Sequence, residues 1–262
     1  MSVAPPSLPA GHTLDAFHRG AFHLVQPRDG HRAGMDTLVL AAAVPGSFAG
    51  GLADLGAGAG AAGLAVLSRC PGARATLVER EPAMVEAAQL TLGVAENASL
   101  AGRAAILAAD IELAGKARAA AGLADNSFDA AIMNPPFNAP DDRATPDGLR
   151  KTAHVMHPDL IEAWVRTAAA IVKPRGMVAI IARPVSLPQI LSAFAGRLGG
   201  AEIVPVHPRP EEPAIRIVVR GKRGSRAALR LLPPLVLHAA QGNALSARAD
   251  VIINGQASLF GD

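Results

Sequence analysis

The chain has no tyrosine, a single tryptophan and a single cysteine among its 262 residues. One cysteine excludes an internal disulfide framework and is typical of a reducing compartment, so we expect a cytoplasmic protein. With only 3% aromatic residues, the core has to be filled by Ala, Leu, Ile and Val. No apolar run reaches the length of a membrane-spanning helix, and no charged-then-apolar leader is present. These two absences argue against a membrane span and against a secretory signal.

Acidic residues are missing from one segment near the C-terminus. Between Pro213 and Ala249 there are seven basic residues and no Asp or Glu, although the formal net charge of the chain is only +3. If this segment is an electrostatic footprint for phosphate, the candidate RNA-binding residues are Arg220, Lys222 and Arg223. A solvated hairpin whose basic side chains protect a sheet edge explains the pattern equally well, so charge alone does not decide.

Strand-like and helix-like segments alternate along most of the chain. Residues 1–11 are rich in Pro and Ala, and we expect them to be disordered. The following stretch contains "AFHLVQP", which alternates like a strand, and "DTLVLAAAV", which reads as a short helix after an Asp cap. From "GLADLGAGAG" onward, strands and helices take turns, which predicts an α/β fold with a parallel sheet covered on both faces. Residues 215–232, "IRIVVRGKRGSRAALRLL", read as two strands around a turn at "GKRGS".

In such a sheet, ligands bind outside the carboxyl ends of the strands. The first of these ends is "DLGAGAG", where Asp54 closes a strand and Gly56, Gly58 and Gly60 form the turn. Glycines permit a tight turn and let a ligand approach the backbone closely. The spacing departs from the dinucleotide fingerprint G-x-G-x-x-G, because Ala61 stands at its last position. A glycine-rich turn on its own fits a structural turn as well as a nucleotide site.

Two acids at the next strand ends favour a nucleoside ligand. Glu79 closes the second strand of the alternating series and can accept hydrogen bonds from both hydroxyls of a ribose. Asp110 closes the third strand and can accept one from an adenine amino group. Because the carboxyl ends of parallel strands share one edge, we expect Asp54, Glu79 and Asp110 to converge on one site.

The fourth strand end is "AAIMNPPFN", in which a buried strand stops at Asn134, Pro135 and Pro136, followed by Phe137. Proline has no N–H to donate to a sheet, so the strand has to end there. The Asn134 side-chain oxygen and the Pro135 carbonyl can accept hydrogen bonds from both hydrogens of an exocyclic amino group. Phe137 offers a face on which a target base can stack. The competing interpretation is a turn that only ends the strand.

Together, "DLGAGAG", the acid after the second strand and "NPPF" after the fourth resemble the class I S-adenosylmethionine-dependent methyltransferases. Within them, the stretches "VQPRDGHRAGMDTLVLAAAV", "HVMHPDLIEAWVRTAAAIVKPRG" and "LRLLPPLVLHAAQGNALSARADVIINGQ" are similar to the family that methylates N6 of the adenosine beside the anticodon of a valine tRNA. The similarity extends over nearly the whole chain.

This resemblance implies a fold, a cofactor and a set of roles. The fold is a single domain over residues 12–262, with a Rossmann-like, mostly parallel seven-stranded sheet and an antiparallel terminal hairpin. Residues 12–45 are expected to cover the cofactor as an N-terminal cap. The cofactor is S-adenosylmethionine, and the residues expected to bind it are Asp36, Asp54, Gly56, Gly58, Gly60, Glu79, Arg80 and Asp110. The expected catalytic residues are Asn134, Pro135, Pro136 and Phe137. The expected partner is RNA, most simply a tRNA, without a metal or a membrane.

Three other functions fit the same residues. The acceptors at "NPPF" serve a protein glutamine amide equally well, as in release-factor methyltransferases, or the N2 amino group of a ribosomal RNA guanine. A non-catalytic RNA-binding module is a function of a different class, although it has no need of the strand-end acids. His154 and His157 stand three residues apart without a nearby third ligand, so we expect no metal there. The polar residues 139–158 form a loop that could cover the target.

Overall fold

The computed structural model describes residues 8–29, 32–136 and 159–262. The predicted disorder of residues 1–11 falls largely outside these ranges, and Phe137, His154, His157 and the loop 139–158 lie wholly outside them. The strands are β1 (His12–Phe17), β2 (Phe22–Pro27), β3 (Gly50–Leu55), β4 (Ala73–Glu79), β5 (Ala104–Ala108), β6 (Phe128–Met133), β7 (Val172–Ala182), β8 (Leu198–His207), β9 (Arg216–Arg223), β10 (Arg230–Leu231) and β11 (Leu235–Val236). The helices are α1 (Met35–Ala41), α2 (Ala61–Arg69), α3 (Pro82–Gly93), α4 (Ala98–Ala101), α5 (Gly115–Ala120), α6 (Leu160–Ile171), α7 (Leu187–Phe194) and α8 (Ala247–Ile253).

Seven strands form the body of the main sheet, in the order β5-β4-β3-β6-β7-β9-β8. The five from β5 to β7 are parallel, and β9 lies antiparallel between β7 and β8. The predicted Rossmann-like sheet with an antiparallel terminal hairpin is therefore confirmed. The two-residue strands β10 and β11 extend the far edge of β8.

The composition of the terminal hairpin differs from the prediction. The segment 215–232 was expected to supply both of its strands, but β9 pairs with β8, and β10 runs parallel to β8 on its other side. The turn after β9 therefore carries the chain across the end of β8 instead of folding it back onto β9. Burial explains this arrangement, because β9 is buried between two long neighbours and has no edge left to pair.

Both faces of the sheet are covered by apolar layers. Alternate residues of one strand enter opposite layers, as Ile132 and Met133 of β6 do. One layer is completed by α1, α2 and α8, and the other by α6 and α7. Small side chains such as Ala130 and Ala131 fill much of both layers, as the scarcity of aromatic residues predicts. This double burial leaves the strand ends as the places where polar side chains can gather.

A separate hairpin of β1 and β2 precedes α1. Its β2 side packs on α3 and α2, and Gln26 of β2 accepts a hydrogen bond from the Ala33 N–H with its Oε1 at 2.7 Å. The helix α1 begins at Met35 after Gly34, so Asp36 lies inside its first turn instead of capping it as predicted. The Asp36 side chain is consequently available for a tertiary contact.

Candidate active site

Most of the residues expected to bind the cofactor lie at the carboxyl ends of three adjacent strands, β3, β4 and β5. Gly56, Gly58 and Gly60 follow β3 with φ values of +73°, +56° and +95°, a left-handed conformation that favours glycine. A Cβ at Gly56 would stand 2.5 Å from Trp164 of α6, and one at Gly60 would stand 2.8 Å from Leu77 of β4. These two glycines are therefore required by packing, whereas a Cβ at Gly58 would meet only Met84 at 3.4 Å.

Asp54 connects the end of β3 to the start of α2, on either side of the glycine-rich turn. Its side chain is 2% exposed, and its Oδ2 accepts a hydrogen bond of 2.7 Å from the Gly63 N–H in the first turn of α2. Burial raises the pKa of Asp54 to about 7, and the charge of Glu79 adds to this rise, while the Gly63 N–H opposes it. This geometry agrees with a role for Asp54 in orienting the glycine-rich turn.

Glu79 connects the ends of β4 and β3. Its Oε2 accepts from the Gly58 N–H at 2.9 Å, and its Oε1 accepts from the N–H groups of Arg80 and Glu81 at 2.8 and 2.9 Å. The side chain is 8% exposed, so its carboxylate is fixed in position before any ligand arrives. The two oxygens of a fixed carboxylate beside the open Gly58 are the kind of acceptor pair that the two hydroxyls of a ribose require.

Arg80 and Asp110 bring the ends of β4 and β5 together. Arg80 Nη1 lies 3.1 Å from Asp110 Oδ2 and also 3.1 Å from Glu112 Oε1. The other Asp110 oxygen, Oδ1, accepts from the Glu112 N–H at 2.8 Å. The predicted convergence of these strand ends therefore occurs through direct side-chain contacts. The residues fit S-adenosylmethionine, and the roles expected of Glu79 at the ribose and of Asp110 at the adenine stay predictions.

Asn134 stands at the end of β6, the strand next to β3. Because Met133 is paired with Leu55, Asn134 lies in register with Gly56, the first glycine of the turn. Its Oδ1 is buried and has no hydrogen-bond partner within the residues that the structure describes. Pro135 is buried and Pro136 half-buried. A buried acceptor without a partner is costly, so this oxygen is suited to receive a donor from a bound molecule.

Asp36 and two arginines of the basic segment make contacts with other side chains and carbonyl groups of the protein. Asp36 was expected at the cofactor, and its Oδ2 lies 2.6 Å from Nε of Arg216 in β9, which is separated from β3 by β7 and β6. Arg220 is paired with Glu202 and Asp262, and Arg223 donates to the Val172 carbonyl.

The positions of Arg220, Lys222 and Arg223 explain these contacts. Lys222 is in register with Met177, which pairs with Ala130 near the start of β6, so the last residues of β9 lie at the sheet edge opposite Asn134. Lys222 is exposed, whereas Arg220 and Arg223 are partly buried and hold protein acceptors. Two of the three predicted RNA-binding residues thus act within the fold, and a solvated hairpin does not describe them either.

Trp164 is a site residue that the motifs at the strand ends did not reveal. It is 7% exposed and belongs to the apolar layer under α6, and its indole also lies against Gly56. On the same helix, Thr167 donates to the Ile111 carbonyl at 2.7 Å, which joins α6 to the loop after Asp110. Nothing in the local sequence indicates these contacts, because they depend on how α6 lies across the sheet.

The strand order, the glycine-rich turn and the acids at successive strand ends define a class I methyltransferase. A family profile described as the methyltransferase small domain matches residues 31–199, and the chain belongs to this family. It is a methyltransferase that uses S-adenosylmethionine. No helix in the described ranges is long and apolar enough to cross a bilayer.

Solved structures support this assignment. A predicted O-methyltransferase, protein Atu636 from Agrobacterium tumefaciens, is 40% identical, with a TM-score of 0.75 over 85% of this chain and 97% of that chain. M. jannaschii TYW2 in complex with AdoMet has a TM-score of 0.55 at 10% identity, over 82% of this chain and 86% of that chain. The tRNA (m1A58) methyltransferase TrmI from Aquifex aeolicus has a TM-score of 0.50 at 15% identity, over 76% and 72%. The last two show the fold alone. No curated protein matches the chain.

Proposed function

We propose that this enzyme methylates the exocyclic amino group of a nucleobase in RNA, namely N6 of the adenosine beside the anticodon of a tRNA. The observation that carries the proposal is the buried Asn134 Oδ1, an acceptor without a partner in the described part of the chain, next to the cofactor turn. The tRNA target itself rests on the sequence resemblance.

The chemistry of an amino group explains why such an acceptor is useful. The lone pair of an exocyclic nitrogen is delocalised into its ring, which makes the nitrogen a poor nucleophile. When bound, S-adenosylmethionine supplies a methyl group on a positively charged sulfur. Asn134 Oδ1 accepts a hydrogen bond from the amino group and thereby favours the pyramidal nitrogen whose lone pair is free. An amide cannot take up a proton, so the amino proton leaves to water once the nitrogen has become cationic.

The Agrobacterium protein is described as a predicted O-methyltransferase, and oxygen is therefore the alternative acceptor atom to weigh. A hydroxyl acceptor has one proton and gains most from a general base within reach. The side chain at the end of β6 is an amide, and the buried Asp54 is directed at the Gly63 N–H of α2. Among the residues that the structure describes, this arrangement favours nitrogen. A glutamine amide or a guanine N2 would fit Asn134 as well as adenosine N6 does.

The test is to incubate the purified enzyme with labelled cofactor in three separate reactions, which contain total tRNA, ribosomes or release factor as the methyl acceptor. The expected product is N6-methyladenosine in tRNA, identified by mass spectrometry of the nucleosides. Asn134→Ala should lower turnover by about 10²–10³, the usual effect of losing one preorganised polar group. Its affinity for S-adenosylmethionine, measured by calorimetry, should hardly change. Gln89→Ala removes an exposed amide on α3 and serves as the matched control.

Full activity in Asn134→Ala would contradict the catalytic interpretation of Asn134. Label in release factor or in ribosomal RNA would replace the tRNA target with one of the alternatives. Phe137, which follows this tip, is proposed to stack on the target base, so Phe137→Ala should weaken RNA capture and lower the rate. Cofactor binding without any methylated product in all three acceptors would favour a non-catalytic RNA-binding module.

A further inference from the structure

The ion pair between Asp36 and Arg216 joins two distant parts of the chain. Nε of Arg216 lies 2.6 Å from Oδ2 of Asp36, and the two side chains are 25% and 33% exposed. Arg216 Nη1 also donates to the Ile215 carbonyl at 2.8 Å. The pair therefore lies at the boundary between protein and solvent, and the guanidinium is held in a defined orientation.

The sheet order places this pair on one side of Asn134. The cofactor residues stand at the ends of β3, β4 and β5, whereas Arg216 begins β9, beyond β6 and β7. Asn134 lies between the two groups. A molecule that presents an amino group to Asn134 and does not overlap the cofactor has to extend toward β7 and β9.

The strand register gives the scale of this separation. Ile217 pairs with Ala182 of β7, so Arg216 stands at the carboxyl edge of the sheet. From Asn134, Arg216 is two strands away, about 10 Å, and about two residues further along the strand direction, about 7 Å. An arginine side chain that spans part of this distance can reach the phosphate of a nucleotide whose base lies at Asn134.

We propose that Arg216 binds a backbone phosphate of the nucleotide that receives the methyl group, and that Asp36 is the positioning residue that orients the guanidinium. This inference rests on the proposed function. It assigns Asp36 a role in RNA binding, in place of the role in cofactor binding that the family resemblance implied. The guanidinium is a planar fork of five N–H donors, so beside its bonds to Asp36 and to the Ile215 carbonyl it can donate to a phosphate oxygen.

Two further observations support a nucleotide on this rim. Ile215 and Val185, which flank the same ends of β9 and β7, are 42% and 79% exposed and are among the few exposed large apolar side chains of the described residues. Apolar side chains beside an arginine suit a partner with both sugar and phosphate. The basic residues Arg220 and Arg230, in contrast, are both paired with Glu202 of β8.

The experiment compares Arg216→Ala, Arg216→Lys and Asp36→Asn with wild type in steady-state methylation of tRNA at several salt concentrations. The matched control is Lys173→Ala, which breaks the ion pair of 2.7 Å between Lys173 and Asp129 at the opposite end of β7 and β6. Calorimetry gives the Kd for S-adenosylmethionine, and thermal unfolding shows that each variant is folded.

We expect Arg216→Ala to raise KM for tRNA at least tenfold, with kcat little changed. The salt slope, which is the slope of log(1/KM) against the logarithm of the salt concentration, should decrease in magnitude by about one. Arg216→Lys should retain the slope and lose part of the affinity, because an ammonium lacks the planar fork. Asp36→Asn should raise KM to a smaller extent with the slope intact. None of the three should change the Kd for S-adenosylmethionine, and Lys173→Ala should match wild type.

Equal KM values and salt slopes in Arg216→Ala and Lys173→Ala would overturn the inference. The ion pair between Asp36 and Arg216 would then be purely structural, and tRNA methylation would still stand as the proposed function. A tenfold weaker Kd for S-adenosylmethionine in Asp36→Asn would return Asp36 to the cofactor and also overturn it. A wild-type enzyme that methylates only protein glutamine would overturn the proposed function and this inference together.

Discussion

At the scale of single residues, two buried titratable groups have pKa values displaced in opposite directions. Burial raises the pKa of Asp54 to about 7, and burial together with the nearby Arg69 lowers the pKa of His18 to about 4. His18 lies in the β1–β2 turn, 8% exposed, with Nδ1 2.8 Å from Ser68 Oγ. Each shift makes the free energy of unfolding depend on pH.

The two dependences have opposite signs over nearly the same range. Between pH 4 and 7, folded Asp54 holds a proton that the unfolded chain has lost, so its contribution to stability falls as pH rises. Between pH 4 and 6.5, folded His18 lacks a proton that the unfolded chain holds, so its contribution rises with pH. Denaturant titrations at a series of pH values measure the free energy of unfolding. Relative to wild type, Asp54→Asn should gain stability as the pH rises, and His18→Gln should lose it. Parallel curves for both variants and wild type would show that neither group is shifted.

The glycine-rich turn gives a second prediction at this scale. Gly56→Ala should be more destabilising than Gly196→Ala, although both residues have a left-handed φ, +73° and +76°. An added Cβ at Gly196 meets nothing within 4 Å, so that variant bears only the backbone cost of about 1–2 kcal/mol. At Gly56 the same Cβ would also stand 2.5 Å from Trp164. Unfolding free energies measure the difference, and equal losses would exclude the packing requirement.

At the scale of elements, Arg220 connects the β8–β9 hairpin to the C-terminal segment. It lies 2.7 Å from both Glu202 Oε2 and Asp262 Oδ2, and its guanidinium carbon stands 3.8 Å from the centre of the Phe260 ring. The Arg220 side chain is only 11% exposed, so removing it leaves the 18%-exposed Glu202 without its closest partner. We therefore expect Arg220→Ala to lower stability by about 3 kcal/mol.

The exposed Lys222, two residues along β9, is the control for this variant. Lys222→Ala should leave stability within the small range of surface substitutions, about 0.5 kcal/mol. Neither variant should change the salt slope of tRNA binding, since both positions lie further toward the amino edge of the sheet than Arg216 does. A slope reduced by about one in Lys222→Ala alone would restore the amino edge of the sheet as a phosphate-binding surface.

At the scale of the whole molecule, S-adenosylmethionine should stabilise the fold, because the site predicted for it joins the ends of β3, β4 and β5. At a concentration of about 100 times its Kd, a ligand that binds only the native state adds about 2.7 kcal/mol, which corresponds to roughly 5–10 °C in Tm for a chain of this size. NAD at the same concentration should give no shift. Glu79→Gln should lose most of the shift, and a full shift in that variant would remove Glu79 from the ribose site.

The sequence predicts the strand ends of this molecule better than their long-range partners. Asp54, Glu79, Asp110 and Asn134 could be placed together because parallel strands share one carboxyl edge and each of these residues closes a recognisable apolar run. The strand β1, "HTLDAF", and the helix α8 were missed, because one mixes polar with apolar residues and the other has only 7 residues after its Ser246 cap.

Ion pairs between distant residues were beyond sequence reasoning for a different reason. Asp36 and Arg216 are separated by 180 positions, and only the stacking of α1 over the sheet brings them together. The same holds for Arg220, whose surrounding sequence contains no acid and whose partners come from β8 and the C-terminal segment. A charge count along the chain therefore overstates the basic character of residues 213–249.

Trp164 gives the protein a built-in optical reporter. The chain has one tryptophan and no tyrosine, so essentially all its near-ultraviolet emission arises from the indole that lies against Gly56. A change at Gly56 alters the surroundings of that indole directly, without an introduced dye. Stopped-flow fluorescence should therefore record cofactor arrival and product departure as single-site signals, and Gly58→Ala should change their rates while leaving the emission of the free enzyme as it was.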